Sequence, residues 1–326
     1  MSYIESTKSY TGSQLETIFF KPMLSGGAAT ELGIRVLYNM PVPTTINLWE
    51  GSSSILRSWN DTGWDGSTQS RVQKTIDMKR VKAEQGFAAS DYFSMVFENL
   101  ATRESLNMDD LTGTDLEVAE TELFKATVAE AIRATMWVGD TSKTSGLNTF
   151  DGFLKKIKAG ITNEDIVSKT LTTVGSSASP SYVLDIFTAL WDQASERLKN
   201  SKSSGELAIF VTSDLYNHYE LALDDAGVDS SYVDAMNGRP KLMYHGMEVI
   251  DLQLGDYLTT SDAFDSTFAF ITDRRNLVMA VNTADFPGSE IRMWYNPDEM
   301  QNRQRAIFAA GCEVIDEEMV SYAGKA

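Results

Sequence analysis

Two strand-like segments, Thr44–Trp49 and Arg71–Ala83, bracket a polar stretch with no core-forming period, and this pairing constrains the fold more than any other feature. Residues 51–70 hold Gly51, Gly63 and Gly66, several serines, and Trp59 and Trp64, two aromatics that read as exposed. From Arg71 to Ala83 the side chains alternate. Val72, Lys74, Ile76, Met78 and Arg80 share one side, and Gln73, Thr75, Asp77 and Lys79 the other. This predicts a strand with one partly solvated face. With Thr44–Trp49 it makes a long two-stranded excursion. An isolated two-stranded ribbon is marginal in water, so another surface, in the same chain or another, has to support it.

Ahead of the ribbon the chain has little periodicity. Ser6–Ser13 is polar, Ser25-Gly26-Gly27-Ala28-Ala29 is hinge-like, and Ile34–Tyr38 predicts a strand stopped by Pro41 and Pro43. Such a segment is either a frayed terminus or an arm lying on a neighbouring subunit. Beyond the ribbon, the spacing predicts a helix over 115–138, capped by Thr114 or Asp115 and ended by Gly139. Leu116, Ala119, Leu123 and Ala126 form its stripe, broadened by Val128, Ala131, Ile132 and Met136. At about 1.5 Å per residue it is roughly 36 Å long, a spine rather than a local packing element.

After a Ser/Thr-rich stretch, Ser179-Pro180 opens a helix in which Val183, Phe187, Leu190, Trp191, Ala194 and Leu198 recur at helical spacing. Leu207–Val211 is a continuous apolar run, the mark of a strand buried on both faces. Ser213 or Asp214 caps the next helix, which runs through Leu223, and His245-Gly246 joins Leu242–Tyr244 to Met247–Leu252 as a hairpin. Phe268–Thr272, Leu277–Val281, Glu290–Tyr295 and Ala306–Ile315 predict further strands. The fold class is α+β, with one long helix, late antiparallel strands and no internal repeat.

Chemistry is sparse. The formal net charge of −18 disfavours sequence-independent nucleic-acid binding by the whole molecule, although it suits the inner wall of a container. One cysteine, Cys312, excludes an intramolecular disulfide and a cysteine-built zinc cage. His218 and His245 are too few for the usual transition-metal sets; His218 reads as a packing or surface histidine, and His245 occupies a tight turn. Cys312, in an apolar strand, reads as a buried, inert thiol. The start, Met1 to Ser6, lacks signal-peptide character, and no run approaches the ~20 apolar residues of a membrane span, so a cytosolic protein, or one exported only by lysis, is expected.

Gly139-Asp140-Thr141-Ser142-Lys143-Thr144 approaches the phosphate-loop pattern, but Ser142 stands where glycine is needed and the helix precedes the loop. Asp61–Gly66 opens like a calcium loop, yet its twelfth position is Val72. Asp109-Asp110 and Asp224-Asp225 diverge as sequence neighbours and read as surface turns or caps. No nucleophile-elbow, zinc-helix or dinucleotide-binding motif occurs. No catalytic, cofactor-binding or metal-ligating residue is therefore assigned.

The order of segments resembles the tailed-phage major capsid protein family, whose fold is called Hong Kong 97-type and is shared with encapsulin shells. Asn47-Leu48-Trp49-Glu50-Gly51 resembles the opening of that family's extended loop. Lys74–Ala83 followed by Phe87-Ala88-Ala89-Ser90 is similar to its returning strand. Met136-Trp137-Val138-Gly139-Asp140, with Gly146-Leu147 and Gly152-Phe153, resembles its helix-then-glycine turn. Leu207–Val211 with Ser213–Leu221 is similar to its strand-helix unit. Tyr244–Val249 resembles its small hairpin, with Glu248 in place of the usual proline, and Arg303–Val314 its closing strand.

The resemblance implies an N-terminal arm (1–46), an extended two-stranded loop (47–85), the first part of a peripheral domain with the spine helix (86–178), an axial domain (179–265) and a return into the peripheral and axial core (266–326). It implies a structural protein, not an enzyme, without cofactor. Its pentamers and hexamers would form an icosahedral shell around double-stranded DNA, assembled in the host cytoplasm and found in the virion. Other capsid subunits, portal and, in some systems, scaffolding or cement proteins are the implied partners, with no membrane. No attached scaffold is expected, because arm and loop account for the residues before the spine helix. Trp59 and Trp64 are the candidate subunit contacts, since tryptophan is enriched at interface anchors; the alternative is that both rings fold back on their own domain. Some family members form Lys–Asn cross-links; Lys74 with Asn296 or Asn302 could be paired on paper, but sequence places no glutamate beside them, and that chemistry is not carried over. The competing readings are an encapsulin-type compartment and, from another class, a hydrolase or sugar-binding enzyme with an unrecognised site.

Overall fold

The computed structural model describes residues 8–10, 32–39, 44–50, 70–88, 115–171, 181–227, 242–258, 264–282, 291–296, 298–299 and 301–325. The first half contains strands β1 (Lys8–Tyr10), β2 (Arg35–Tyr38), β3 (Thr44–Glu50), β4 (Ser70–Ile76) and β5 (Lys79–Ala88), then helices α1 (Asp115–Val138) and α2 (Phe153–Thr162). The middle holds β6 (Val167–Thr170), α3 (Tyr182–Gln193), α4 (Glu196–Asn200), β7 (Leu207–Val211) and α5 (Ser213–Asp225). Then come β8 (Met243–Tyr244), β9 (Met247–Asp251), α6 (Gly255–Leu258), β10 (Thr267–Asp273), β11 (Leu277–Asn282), β12 (Ile291–Asn296), β13 (Gln301–Val314) and β14 (Val320–Lys325).

Strand β13 organises the first sheet. Its first half pairs with β12 and its second half with β11, while its other edge carries β5 from Gln301↔Ala88 to Ala310↔Lys79. β1 extends the sheet beyond β12, and β2 runs parallel to β11. The even positions Ala306, Phe308, Ala310, Cys312 and Val314 join a core shared with Phe124, Val128, Ile132 and Met136 of α1. The helix therefore packs along this face. Its buried stripe recurs every four residues from Phe124, and Ala126 and Ala131 are exposed rather than part of it. The side chains of Leu116, Ala119 and Leu123 lie outside the described residues.

The second sheet has the order β6-β14-β10-β7-β9-β8. Its central strands are buried on both faces because helices cover both. Ala208 and Phe210 of β7, with Phe268 and Phe270 of β10, face the core that holds α1 and α2. Leu207, Ile209, Val211, Ala269 and Ile271 face α3 and α5. That is why Leu207–Val211 reads as an unbroken apolar run. The expected hairpin is present, with Tyr244↔Met247 in register and both His245 (φ 48) and Gly246 (φ 83) left-handed, as a two-residue primed turn requires. The sheet is mixed, with β7–β9 and β14–β6 parallel.

Three expectations are corrected. Arg71–Ala83 is not one strand: β4 pairs with β3, β5 pairs with β13, and the chain bends between them at Asp77-Met78. Gly311 lies under the bend, where a Cβ would stand 2.6 Å from the Asp77 carbonyl oxygen and 3.1 Å from Met78 Cα. The helix expected to run to Leu198 breaks at Ala194-Ser195, where the Ser195 side chain accepts from the Leu198 amide and caps α4. The proposed cap Ser179-Pro180 lies outside the described residues, and α3 starts from Ser181. Helix α5 starts from Thr212 rather than Ser213 or Asp214, its φ of −78° and ψ of 154° being those of an N-cap.

Where α1 meets α2, two glycines touch. The Gly152 amide donates to the Gly139 carbonyl at 2.9 Å, and a Cβ on Gly152 would lie 2.7 Å from the Thr135 carbonyl oxygen and 2.8 Å from the Gly139 nitrogen. Those neighbours are backbone and cannot rotate away. Gly152→Ala is therefore expected to destabilise the fold by about 3 kcal/mol, towards the upper end of overpacking costs. Gly255→Ala, with nothing within 4 Å of the new methyl, should stay near wild type; equilibrium urea unfolding of both checks the contrast.

Candidate assembly surface

The β3–β4 hairpin is anchored at its base and nowhere else among the described residues. Ile76 and Met78 are buried with Val278, Ala280, Ala309 and Ile315, and Ile46 packs against them. This small cluster covers the outer face of the first sheet, opposite α1. Beside it Lys74 meets Glu317 at 2.6 Å and Glu313 at 3.9 Å, while Lys156 of α2 holds the other Glu313 oxygen at 2.8 Å. On the face opposite Ile46 and Lys74 the ribbon is exposed at Thr45, Asn47, Gln73 and Thr75. Trp59 and Trp64 lie outside the described residues.

Lys74 therefore does have glutamates beside it, which sequence spacing could not reveal, because Glu313 and Glu317 are more than 200 residues away in the chain. It is not brought to either asparagine. Lys74 sits at the C-terminal end of β13, whereas Asn302 is fully buried near the other end on the helix-facing side. Among the described residues, Asn302 and Gln304 have no hydrogen-bond partner for either side-chain polar atom, nor has Gln85 Oε1 on the adjoining strand. Each unsatisfied buried amide costs about 1–3 kcal/mol.

The loop that approaches the phosphate-binding pattern is a polar clasp. Asp140 Oδ1 accepts from the Ser142 amide at 2.9 Å and hydroxyl at 2.6 Å, and Asp151 Oδ1 accepts from the Thr141 amide at 2.9 Å and hydroxyl at 2.8 Å. Lys155 bridges both carboxylates at 2.7 Å. The Thr141 and Ser142 amides that a phosphate would need are already spent on carboxylates, and Lys143 Nζ lies 5.9 Å from the Phe264 ring centroid. Burial alone would raise the Asp140 pKa, but Lys155 and the two Ser142 donors outweigh it and hold the carboxyl at about 2.

The remaining titratable candidates are structural too. Cys312 is buried and its thiol pKa is pushed far up, first by burial and then by the Glu313 charge, so it remains a thiol. His218 Nδ1 lies 2.7 Å from the Asp214 carbonyl oxygen, within its own helix. Tyr322 donates to Asp265 Oδ2 at 2.6 Å, and Lys158 meets the other Asp265 oxygen at 2.6 Å. Among the described residues no group of three potential metal ligands converges, and no helix is long and apolar enough to cross a membrane.

The geometry can be set beside solved structures. A chain of the satellite phage P4 procapsid that includes the size-determination protein superposes with a TM-score of 0.58 at 11% identity, spanning 94% of this chain and 97% of that one. A chain of Gordonia phage Cozz gives 0.54 at 14% identity over 91% and 86% of the two chains. The fold is Hong Kong 97-type. The capsid of Myoviridae phage XM1 gives 0.50 at 15% identity, over 91% of each chain. No protein-family model and no curated protein sequence matches the chain.

The Asp140 clasp makes a pH prediction. Its carboxyl is depressed in the folded chain, so its contribution is complete above the ordinary aspartate value near 4 and is lost as pH falls from about 4 to about 2. The shift corresponds to about 2 kcal/mol. Comparing urea midpoints of wild type and Asp140→Asn over that range should show the wild-type advantage shrinking as pH drops.

Proposed function

We propose that this chain is the major capsid protein of a tailed bacteriophage, assembling into pentamers and hexamers of an icosahedral shell around double-stranded DNA. The observation that carries the reading is its likeness to a phage procapsid chain over nearly the whole length of both chains. In this reading residues 1–46 are the arm, 47–85 the extended loop, 86–178 the first part of the peripheral domain, 179–265 the axial domain and 266–326 the return. The protein acts without a catalytic step, is built into the virion, assembles in the host cytoplasm, and meets the portal and any scaffolding or cement proteins through its own surfaces.

The ribbon supports this reading. Its base is anchored within the chain while one face, at Thr45, Asn47, Gln73 and Thr75, is exposed, which suits an element that rests on another subunit. Its tip, with Trp59 and Trp64, is the proposed contact with that neighbour.

Electron microscopy of the purified protein, with nuclease protection of its contents, is the direct test. Shells or capsomer rings are expected, enclosing DNA when made in the presence of the packaging machinery. Shells filled with protein would replace the phage reading by a cellular compartment, and a discrete monomer under all conditions would overturn both. Trp59→Ala is expected to lower particle yield about tenfold, the scale of a modest interface hot spot, with an unchanged circular dichroism spectrum. Normal shells from that variant would remove the ring from the interface.

A further inference from the structure

Helix α2 carries three lysines within one turn, and each ends on a different buried carboxylate. Lys155 meets Asp140, and beside it Asp151, in the loop after α1, both at 2.7 Å. Lys156 meets Glu313 of β13 at 2.8 Å, and Lys158 meets Asp265, just ahead of β10, at 2.6 Å. The Asp140, Glu313 and Asp265 side chains are 9%, 8% and 7% exposed, whereas the three lysines keep 28%, 26% and 34%. A carboxylate buried to that degree is stable only while it is paired, so each lysine is needed where it ends.

The helix decides where the lysines go. Phe153, Leu154, Ile157 and Gly160 are buried along one stripe. At about 100° per residue, Lys156 and Lys158 lie about 160° apart, on opposite flanks of that stripe. Their stems run down opposite sides of the helix, Lys156 to the first sheet and Lys158 to the second. At the first sheet, Glu313 also faces Lys74 of the ribbon at 3.9 Å. Glu317, the closer partner of Lys74 at 2.6 Å, lies against α2 itself, since a Cβ on Gly160 would stand 3.5 Å from Glu317 Cγ. At the second sheet, Tyr322 of β14 donates to the other Asp265 oxygen at 2.6 Å. Gly324 of the same strand leaves room for that carboxylate, because a Cβ there would collide with Asp265 Oδ2.

We infer that α2 is a two-jawed clamp through which the second sheet holds the root of the ribbon in place. Contacts run from Tyr322 and Asp265 to Lys158, through the helix, then by Lys156 to Glu313 and by Gly160 to Glu317. Both glutamates engage Lys74. Lys158 is thus a positioning residue for a ribbon that it does not touch. Three observations favour a clamp over separate local ion pairs. α2 is only ten residues long with a buried stripe, so it moves as one body between its jaws. Glu313 is shared by lysines of two elements, and members of one ion-pair network respond to each other's removal. Ribbon packing among the described residues is confined to the cluster of Ile46, Ile76 and Met78, so no larger core buffers a change at Lys74. Such coupling is reciprocal, so a pull on the ribbon is felt at the second sheet. It is a property of the single subunit and stands or falls apart from the shell reading.

The test is hydrogen exchange of the purified full chain, read by mass spectrometry in peptides spanning β3 and β4 and referred to β7. Lys158→Met is expected to speed ribbon exchange about fivefold or more relative to β7, and Lys158→Arg to restore it to within about twofold. Asp265→Asn keeps the shape of the side chain and should act in the same direction by about twofold or more. It carries the test if Lys158→Met does not fold. Lys199→Met, which breaks a pair with the exposed Glu196, should leave the ribbon unchanged. Ribbon exchange in Lys158→Met equal to wild type would overturn the inference. So would a rise shared equally by β7, which is general loosening, or a ribbon root that has no protection in wild type.

Discussion

The structure depends on the burial of Trp137. A 24-residue helix lying on a sheet could slide or tilt were its stripe the only constraint. It is fixed at its C-terminal end, where the fully buried indole lies 5.3 Å from the Phe153 ring, 5.8 Å from Phe210 and 6.2 Å from Phe270. These rings come from α2, β7 and β10, so one side chain ties the spine helix to the next helix and to the second sheet. Its Nε1 has no hydrogen-bond partner among the described residues, which costs about 1–3 kcal/mol. Burying the indole among three aromatic rings offsets that cost, since a large buried aromatic and its ring pairs contribute several kcal/mol. The Gly139–Gly152 contact brings α2 close enough for Phe153 to reach the indole.

Much of this was legible in the sequence, and the failures have physical causes. Asp115–Val138 is bounded as expected because a long periodic run ending in glycine leaves little choice. Leu207–Val211 and the His245-Gly246 turn were legible because continuous apolarity and a two-residue turn are local signals. The break at Asp77-Met78 was hidden because alternation continues through it: Ile76 and Met78 are both buried in the same cluster although their strands join different partners. The break before Ser195 was hidden because Ala194 and Leu198 keep helical spacing across it. β14 is short, contains Gly324, and owes its place to β10 and to Gln193, which donates to the Tyr322 carbonyl. No local pattern announces that.

The candidate surface was less legible than the fold. Trp59 and Trp64 were singled out by residue type, and they lie outside the described residues. The Trp294–Arg305 contact and the Glu84 pair beside it escaped because their members come from three strands and only the register gathers them. Arg303 and Arg305 sit two apart on β13, and their neighbours Glu84, Gly86 and Trp294 are supplied by pairings that no sequence window spans. The same alternation places Asn302 and Gln304 on the buried side, where sequence would put apolar residues.

These features converge on the bend at residues 77–78. A ribbon that continued straight from the first sheet would bring β4 alongside β13 and have an edge to pair with throughout its length. Instead the strand is handed over: β5 completes ten pairings with β13, the chain turns over Gly311, and β4 leaves with β3 as its only described partner. The Lys74 ion pairs and the Ile76–Met78 cluster hold that departure point, so the ribbon's direction is set within the subunit. The exposed positions Thr45, Asn47, Gln73 and Thr75 add ordering cost without matching burial. In the proposed shell, a neighbouring copy beneath the ribbon would offset that cost.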